Sequence, residues 1–130
     1  MSNRVYSTAT EEDVETLSKP MIGSNHPGGF RTIDYDRFKA KFGVTPKVCS
    51  MVWNLVVSNL NQRPRIQGFN RLNPVHILYA LFFMKSYPTS RQAVGALGQI
   101  IGQNQFRIYS QFVIRQIASL KSQVVSNKNK

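Results

Sequence analysis

The sequence predicts an all-α fold, a small helical domain that contains a homeobox-like helix-turn-helix unit. Apolar residues recur at spacings of three and four from residue 30 onward, and no stretch longer than a few residues alternates as a strand would. A length of 130 residues with 42% hydrophobic content suits one core. Three regions are predicted: a flexible N-terminal arm at 1–29, a helical domain at 30–124 and a basic C-terminal tail at 125–130.

The N-terminal arm is expected to pack little, and either to cover the domain or to stay mobile. It is polar, acidic over residues 11–15, and ends in a cluster of Gly and Pro. A short helix over 11–17 is predicted, capped by Thr10, with Val14 and Leu17 as its only apolar points. Two interpretations stay open: the acidic arm screens the basic domain when DNA is absent, or it is a solvated segment without such a role.

Two helices with recognisable boundaries follow the arm. Asp34 is expected to cap a helix that continues to Phe42 and ends at Gly43. Thr45 followed by Pro46 predicts the start of the next helix, because a cap residue before proline is a typical helix start. The core-facing side of this helix is predicted from apolar residues at helical spacing: Val48, Met51, Val52, Leu55, Val56 and Leu60, with Trp53 beside them.

The rest of the chain has the proportions of a helix-turn-helix unit. Asn73 followed by Pro74 predicts the start of the most apolar helix, over 75–87, which should be central. A capping-box pattern predicts a short second helix over 90–98, and a long third helix is expected over 104–124. The core side of this third helix is predicted to be Phe106, Tyr109, Val113, Ile117 and Leu120.

The charged residues are divided unevenly along the chain. All six acidic residues lie at or before Asp36, so residues 37–130 carry 14 Lys and Arg and no Asp or Glu. So strong a field of one sign destabilises a compact domain unless a polyanion neutralises it, and an isoelectric point near 10.3 is typical of nucleic-acid binding. Charge that serves solubility alone usually mixes both signs. Duplex DNA is therefore the predicted partner, and the nucleus the predicted location.

The third helix is predicted to read DNA, because a helix-turn-helix unit inserts the N-terminal part of its last helix into the major groove. Its polar side offers amide groups that suit adenine and guanidinium groups that suit guanine. An ordinary solvated face is the alternative interpretation. The predicted DNA-binding residues, which include those of a basic loop over 62–72, are Arg63, Arg65, Arg71, Lys85, Arg91, Asn104, Gln105, Arg107, Gln111 and Arg115.

Four stretches of this sequence carry a family resemblance: 42–49 (FGVTPKVC), 52–55 (VWNL), 74–85 (PVHILYALFFMK) and 105–109 (QFRIY). They resemble the N-terminal helical region of Harbinger-type DDE transposases and their domesticated relatives. The resemblance implies a helix-turn-helix that binds DNA beside a nuclease domain. The chain also resembles the small DNA-binding accessory subunits of ciliate adenine-N6 DNA methyltransferase complexes, which implies that it delivers DNA to an enzyme made of other subunits.

Catalytic, cofactor and metal sites are not expected in this chain. A DDE nuclease needs three carboxylates around two metal ions, whereas the acids here are confined to residues 11–36. His26, His76 and Cys49 are too few for a structural zinc site. His76 and Cys49 are predicted to be buried structural residues. Neither a membrane span nor a small-molecule substrate is expected, and a helical adaptor whose basic face docks an acidic protein is the alternative function.

Overall fold

The computed structural model describes residues 6–62, 72–86 and 103–128, and in the last range the side chains of residues 106–120. These ranges contain α1 (Glu11–Ile22), α2 (Thr32–Phe42), α3 (Pro46–Asn61), α4 (Val75–Ser86) and α5 (Gln103–Lys128). They contain no strand, which confirms the predicted all-α class. The short helix predicted over 90–98 lies outside the described residues.

Helix α4 lies at the centre of the fold, as the sequence predicts. Seven consecutive residues, from His76 to Phe82, are buried, and α4 contacts each of the other four described helices. Its start is fixed by Asn73, whose side-chain oxygen accepts the backbone N–H of Val75 at 3.0 Å. A helix buried on all sides must be apolar on all sides, which explains why α4 has the least polar sequence of the chain.

The prediction that little of the N-terminal segment packs is wrong for residues 6–22, six of which lie in the core or against it. Thr10 caps α1 as expected, and the Asp13 carboxylate completes the capping box. The helix, however, continues past residue 17 and through Pro20 to Ile22. This extension buries Met21 and Ile22 in the same core as Ala9 and Val14.

Hydrogen bonds from α3 hold the segment that precedes α1. Asn54 accepts the backbone N–H of Ala9 at 2.8 Å and donates to the carbonyl of Ala9 at 2.9 Å. Asn61 makes the same pair of bonds with Tyr6, at 3.0 and 3.3 Å. The indole N–H of Trp53 donates to the carbonyl of Ser7 at 2.9 Å. Three side chains of one helix thus pair an extended backbone that has no sheet partner.

The start of α2 also differs from the prediction. The N-cap is Arg31, and Asp34 stands at the third helical position, where its carboxylate accepts the Arg31 backbone N–H at 2.9 Å. This bond is the main cause of a lowered pKa for the buried Asp34. His26 lies 2.5 Å from the same carboxylate and joins the preceding loop to α2. Gly43 ends the helix with a left-handed φ of 82°, as predicted.

Helix α3 is rotated relative to the prediction, which is confirmed only in part. Thr45 and Pro46 start it as expected. Of the residues predicted to face the core, Val56 and Leu60 are buried and Val52 is half-buried, but Val48, Met51 and Leu55 are 42%, 55% and 55% exposed. Cys49, Trp53 and Val57 are buried in addition. Trp53 is the largest fully buried side chain, and its indole N–H donates to the carbonyl of Ser7, so its enclosure accounts for the rotation of the helix. Cys49 is buried as predicted, and burial raises its pKa to about 12.

Candidate nucleic-acid interface

Aromatic rings attach α5 to α4. The ring of His76 stacks on Tyr109, with centroids 4.0 Å apart and planes 5° apart. Phe106 lies 5.9 Å from Tyr79 and 6.4 Å from Phe83. Because successive residues of α4 meet α5 in reverse order, the helices are antiparallel, and the end of α4 lies beside the start of α5.

His76 is a structural residue, as the sequence predicts. Its Nδ1 accepts the backbone N–H of Asn73 at 3.0 Å, which leaves the proton on Nε2. Burial lowers the pKa of His76 to about 4, so the ring that stacks on Tyr109 is neutral at physiological pH. The position of α5 therefore rests on a ring with a fixed tautomer.

The core side of α5 largely follows the prediction. Phe106 and Val113 are fully buried, while Tyr109, Ile117 and Leu120 are partly buried against the core. Phe112 is buried in addition, which widens the apolar side beyond the predicted residues. This packing fixes the direction in which the opposite side of the helix faces.

The opposite side of α5 presents the predicted polar residues to solvent. Arg107 and Arg115 are exposed, and Gln111 between them is half-buried. Residues four apart lie on one side of a helix, so these three form a row about 12 Å long at 1.5 Å per residue. We call this row the α5 polar face. Ile108 beside it is also exposed.

Lys85 lies at the same end of the molecule as the start of α5. It is exposed in the last turn of α4, where the contact between Phe83 and Phe106 brings α4 beside the start of α5. A cation at a helix C-terminus is also favoured by the helix dipole, which is a structural reason for its presence. Its ammonium group remains accessible to a phosphate.

The other predicted contact residues are placed only in part. Asn104 and Gln105 belong to the first turn of α5, and their side chains lie outside the described residues. The remaining four also lie outside the described residues: Arg63, Arg65, Arg71 and Arg91.

Basic residues that were not predicted as DNA contacts lie on α2 and α3. Arg37, Lys39 and Lys47 are exposed. Arg37 and Lys39 share α2 with two acids, whereas Lys47 lies on α3, which has none. Lys41 is different, because its Nζ donates to the carbonyl of Met21 at 2.7 Å and lies 5.9 Å from the Phe82 ring. Burial lowers its pKa, and only a tertiary structure reveals this.

No carboxylate belongs to α3, α4 or α5. All six acids lie in α1 and α2, and the one ion pair among the described residues joins His26 to Asp34. Arg107 and Arg115 therefore carry charge that no acid on their own helix or on the two neighbouring helices offsets.

Comparisons with protein-family models, with curated proteins and with solved structures find no significant similarity. The residues and geometry of α5 therefore provide the basis for a proposed function.

Two further findings concern the described ranges as a whole. Within them, no group of three or more His, Cys, Asp or Glu side chains is placed to hold a metal ion. In the same ranges, no helix combines the length and the apolar character that crossing a membrane requires.

Proposed function

We propose that this protein binds duplex DNA through the α5 polar face and presents that DNA to a modifying enzyme, such as an adenine methyltransferase, made of other subunits in the nucleus. One observation carries the proposal. The α5 polar face exposes two guanidinium groups on a firmly packed helix, and neither that helix nor its neighbours α3 and α4 contain an acid. Phosphate repels carboxylates, so a surface of this composition suits a polyanion.

The dimensions of the α5 polar face suit a major groove. An α-helix fits a groove about 12 Å wide, where Arg pairs with the edge of guanine and Gln with that of adenine. Phe106 and Val113 hold the helix, so little backbone freedom is lost on binding. Lys85 lies at the leading end of α5 and suits a phosphate contact, which positions the protein without reading sequence.

In this proposal the protein has no catalytic activity of its own. Asp34 is buried and already bound to His26 and to the Arg31 amide, so it is not a free metal ligand. We expect no cleavage and no methylation when the protein alone is incubated with DNA, Mg²⁺ or Mn²⁺ and a methyl donor. Turnover that co-purifies with the protein and disappears on mutation of Asp34 or Asp36 would overturn this expectation.

The test is a titration of labelled duplex DNA with single variants of the α5 polar face. Arg107→Ala, Gln111→Ala and Arg115→Ala should each weaken binding, by about 1 to 3 kcal/mol where a base contact is lost. Arg37→Ala is the matched control, because it removes an exposed arginine from α2, which carries acids. Thermal melting should show all four variants folded like the parent, since surface changes typically cost within about 0.5 kcal/mol.

Parent-like DNA binding by all three variants would show that α5 is not the reading element. The alternative function, a helical adaptor for an acidic protein, makes a different prediction in the same assay. An adaptor would bind an acidic polypeptide such as polyglutamate more tightly than duplex DNA at equal salt.

A further inference from the structure

Helix α3 carries an exposed apolar surface that the DNA-binding proposal does not use. Val48, Met51 and Leu55 are 42%, 55% and 55% exposed, and Val52 beside them is half-buried. Their spacing of three and four places them in one row, which we call the α3 outer face. Scattered apolar residues are ordinary on a surface, but a contiguous row indicates a contact.

The α3 outer face is also uncharged. Lys47 is the only charged residue of α3, and none follows it to the end of the helix at Asn61. In contrast, α1, α2 and α5 all carry charged residues on their exposed sides. In a chain with a formal charge of +11, this helix offers an exposed surface on which like charges do not meet.

This charge pattern selects the occupant. DNA or an acidic protein would be bound through cations, which the α3 outer face lacks after Lys47. A second copy of the chain is repelled by the basic surfaces but not by an uncharged one. We propose that α3 pairs with α3 of a second copy, antiparallel about a two-fold axis near Met51.

The sequence of the α3 outer face is self-complementary about that axis. A two-fold axis between positions 51 and 52 places Val48 of each copy against Leu55 of the other and brings the two Met51 side chains together. A row spaced by three and four residues is the pattern of helix pairs that interdigitate. The exposed Ser58, a small polar residue without charge, then lies at the rim of the contact.

The one cation of α3 does not oppose the pairing. In this register the two Lys47 residues are about 13 Å apart along the helix axes, at 1.5 Å per residue. That separation exceeds the screening length of about 8 Å at physiological salt. A contact made by one helix face is small, so the pairing is a reversible, concentration-dependent equilibrium.

The pairing is independent of DNA binding and has a consequence for it. A dimer carries two α5 polar faces, and two reading helices are what helix-turn-helix proteins use on paired half-sites. Failure of one proposal leaves the other intact, because the first is tested with DNA and the second without it.

Sedimentation equilibrium of the full chain without DNA is the first test, from a few micromolar to several hundred micromolar in about 0.3 M salt. The parent should shift from 14.8 kDa toward twice that mass as its concentration rises. The double variant Met51→Glu with Leu55→Glu should stay monomeric. Ile33→Glu, which changes an equally exposed apolar residue on α2, should associate like the parent.

A cross-linking test gives the register and does not depend on the charged variants. Met51→Cys treated with a short bis-maleimide should form a covalent dimer, because the two positions meet at the axis. Ser58→Cys should not, because the register separates the two copies of that residue. Cys49 is fully buried and should not react. A parent that stays monomeric at every concentration, or equal cross-linking at positions 51 and 58, would overturn the proposal.

Discussion

The two ends of this chain are joined to the fold by different kinds of contact. Residues 6–10 are held by polar side chains of α3, above all Asn54 and Trp53, which bond to the backbone. Helix α5 is held by rings, with His76 stacked on Tyr109 and Phe106 beside Tyr79. The hydropathy pattern of the sequence reveals the ring contacts of α5 but not the hydrogen bonds of residues 6–10. In a sequence, an Asn that bonds to distant backbone cannot be told from an Asn that faces solvent.

Charge separates the same two regions. The first part of the chain, up to the first turns of α2, contains every acid, and α3 to α5 contain none. Helix α5, which is attached by rings, therefore belongs to the region whose surface suits a polyanion. Aromatic packing fixes α5 without using its charged side chains, which stay available for binding.

The largest effect expected on this comparison is the loss of a ring from the α4–α5 contact. Phe106→Ala removes a fully buried ring between Tyr79 and Phe83, and should lower the free energy of unfolding by about 3 to 5 kcal/mol. Ile108→Ala, two residues away and 52% exposed, should change it by less than about 0.5 kcal/mol. Denaturant unfolding measures both. Similar costs for the two variants would mean that α5 packs in another rotation.

Acid should weaken the α4–α5 contact through His76. The pKa of His76 is about 4 in the folded chain and 6.5 in the unfolded chain. As the pH falls, the unfolded chain therefore takes up a proton at a higher pH than the folded chain does. The contribution of neutral His76 to the free energy of unfolding is fully present above pH 6.5 and should decline by about 3 kcal/mol as the pH falls to 4. Denaturant unfolding at pH 7 and pH 4 should show this loss in the parent, and a much smaller loss in His76→Asn. An equal loss in both proteins would assign the acid sensitivity to other groups.

A smaller effect is expected where the N-terminal segment meets α3. Asn54→Ala leaves the N–H and carbonyl of Ala9 without their partner and should cost about 1 to 3 kcal/mol. Asn61→Ala removes the same pair of bonds from Tyr6 at an exposed position, where water can replace them, and should cost less than about 1 kcal/mol. Unfolding and amide exchange at residues 7–9 measure the difference. Loss of exchange protection there in Asn61→Ala but not in Asn54→Ala would contradict it.

The starts of α1 and α3 and the side of α5 that faces the core could be predicted because local pattern determines them. Thr10 and Thr45 form caps that need only neighbouring backbone. The rotation of α3 could not be predicted, because the helix carries apolar residues on several of its sides. Val48 and Met51 make as regular a row as Cys49 and Val56, and the choice depends on what docks against Trp53.

The part of the candidate site that depends only on the rotation of α5 could be predicted from the sequence. The solvent exposure of Arg107 and Arg115 follows once Phe106 and Val113 are recognised as core. The burial of Lys41 does not follow, since the carbonyl that accepts its hydrogen bond belongs to Met21, twenty residues earlier. Nor does the capping of α2, where Asp34 serves from the third helical position and pairs with His26 in a loop.

The central claim, that the acid-free helices bind duplex DNA, is tested most directly by the salt dependence of binding to a duplex of random sequence. Each neutralised phosphate releases counterions and adds about 0.9 to the slope of log affinity against log salt. We predict a steep decline in affinity between about 50 and 200 mM salt, and a slope about one unit shallower for Lys85→Ala but not for Arg37→Ala. Binding that is absent, or flat across that range, would contradict the claim.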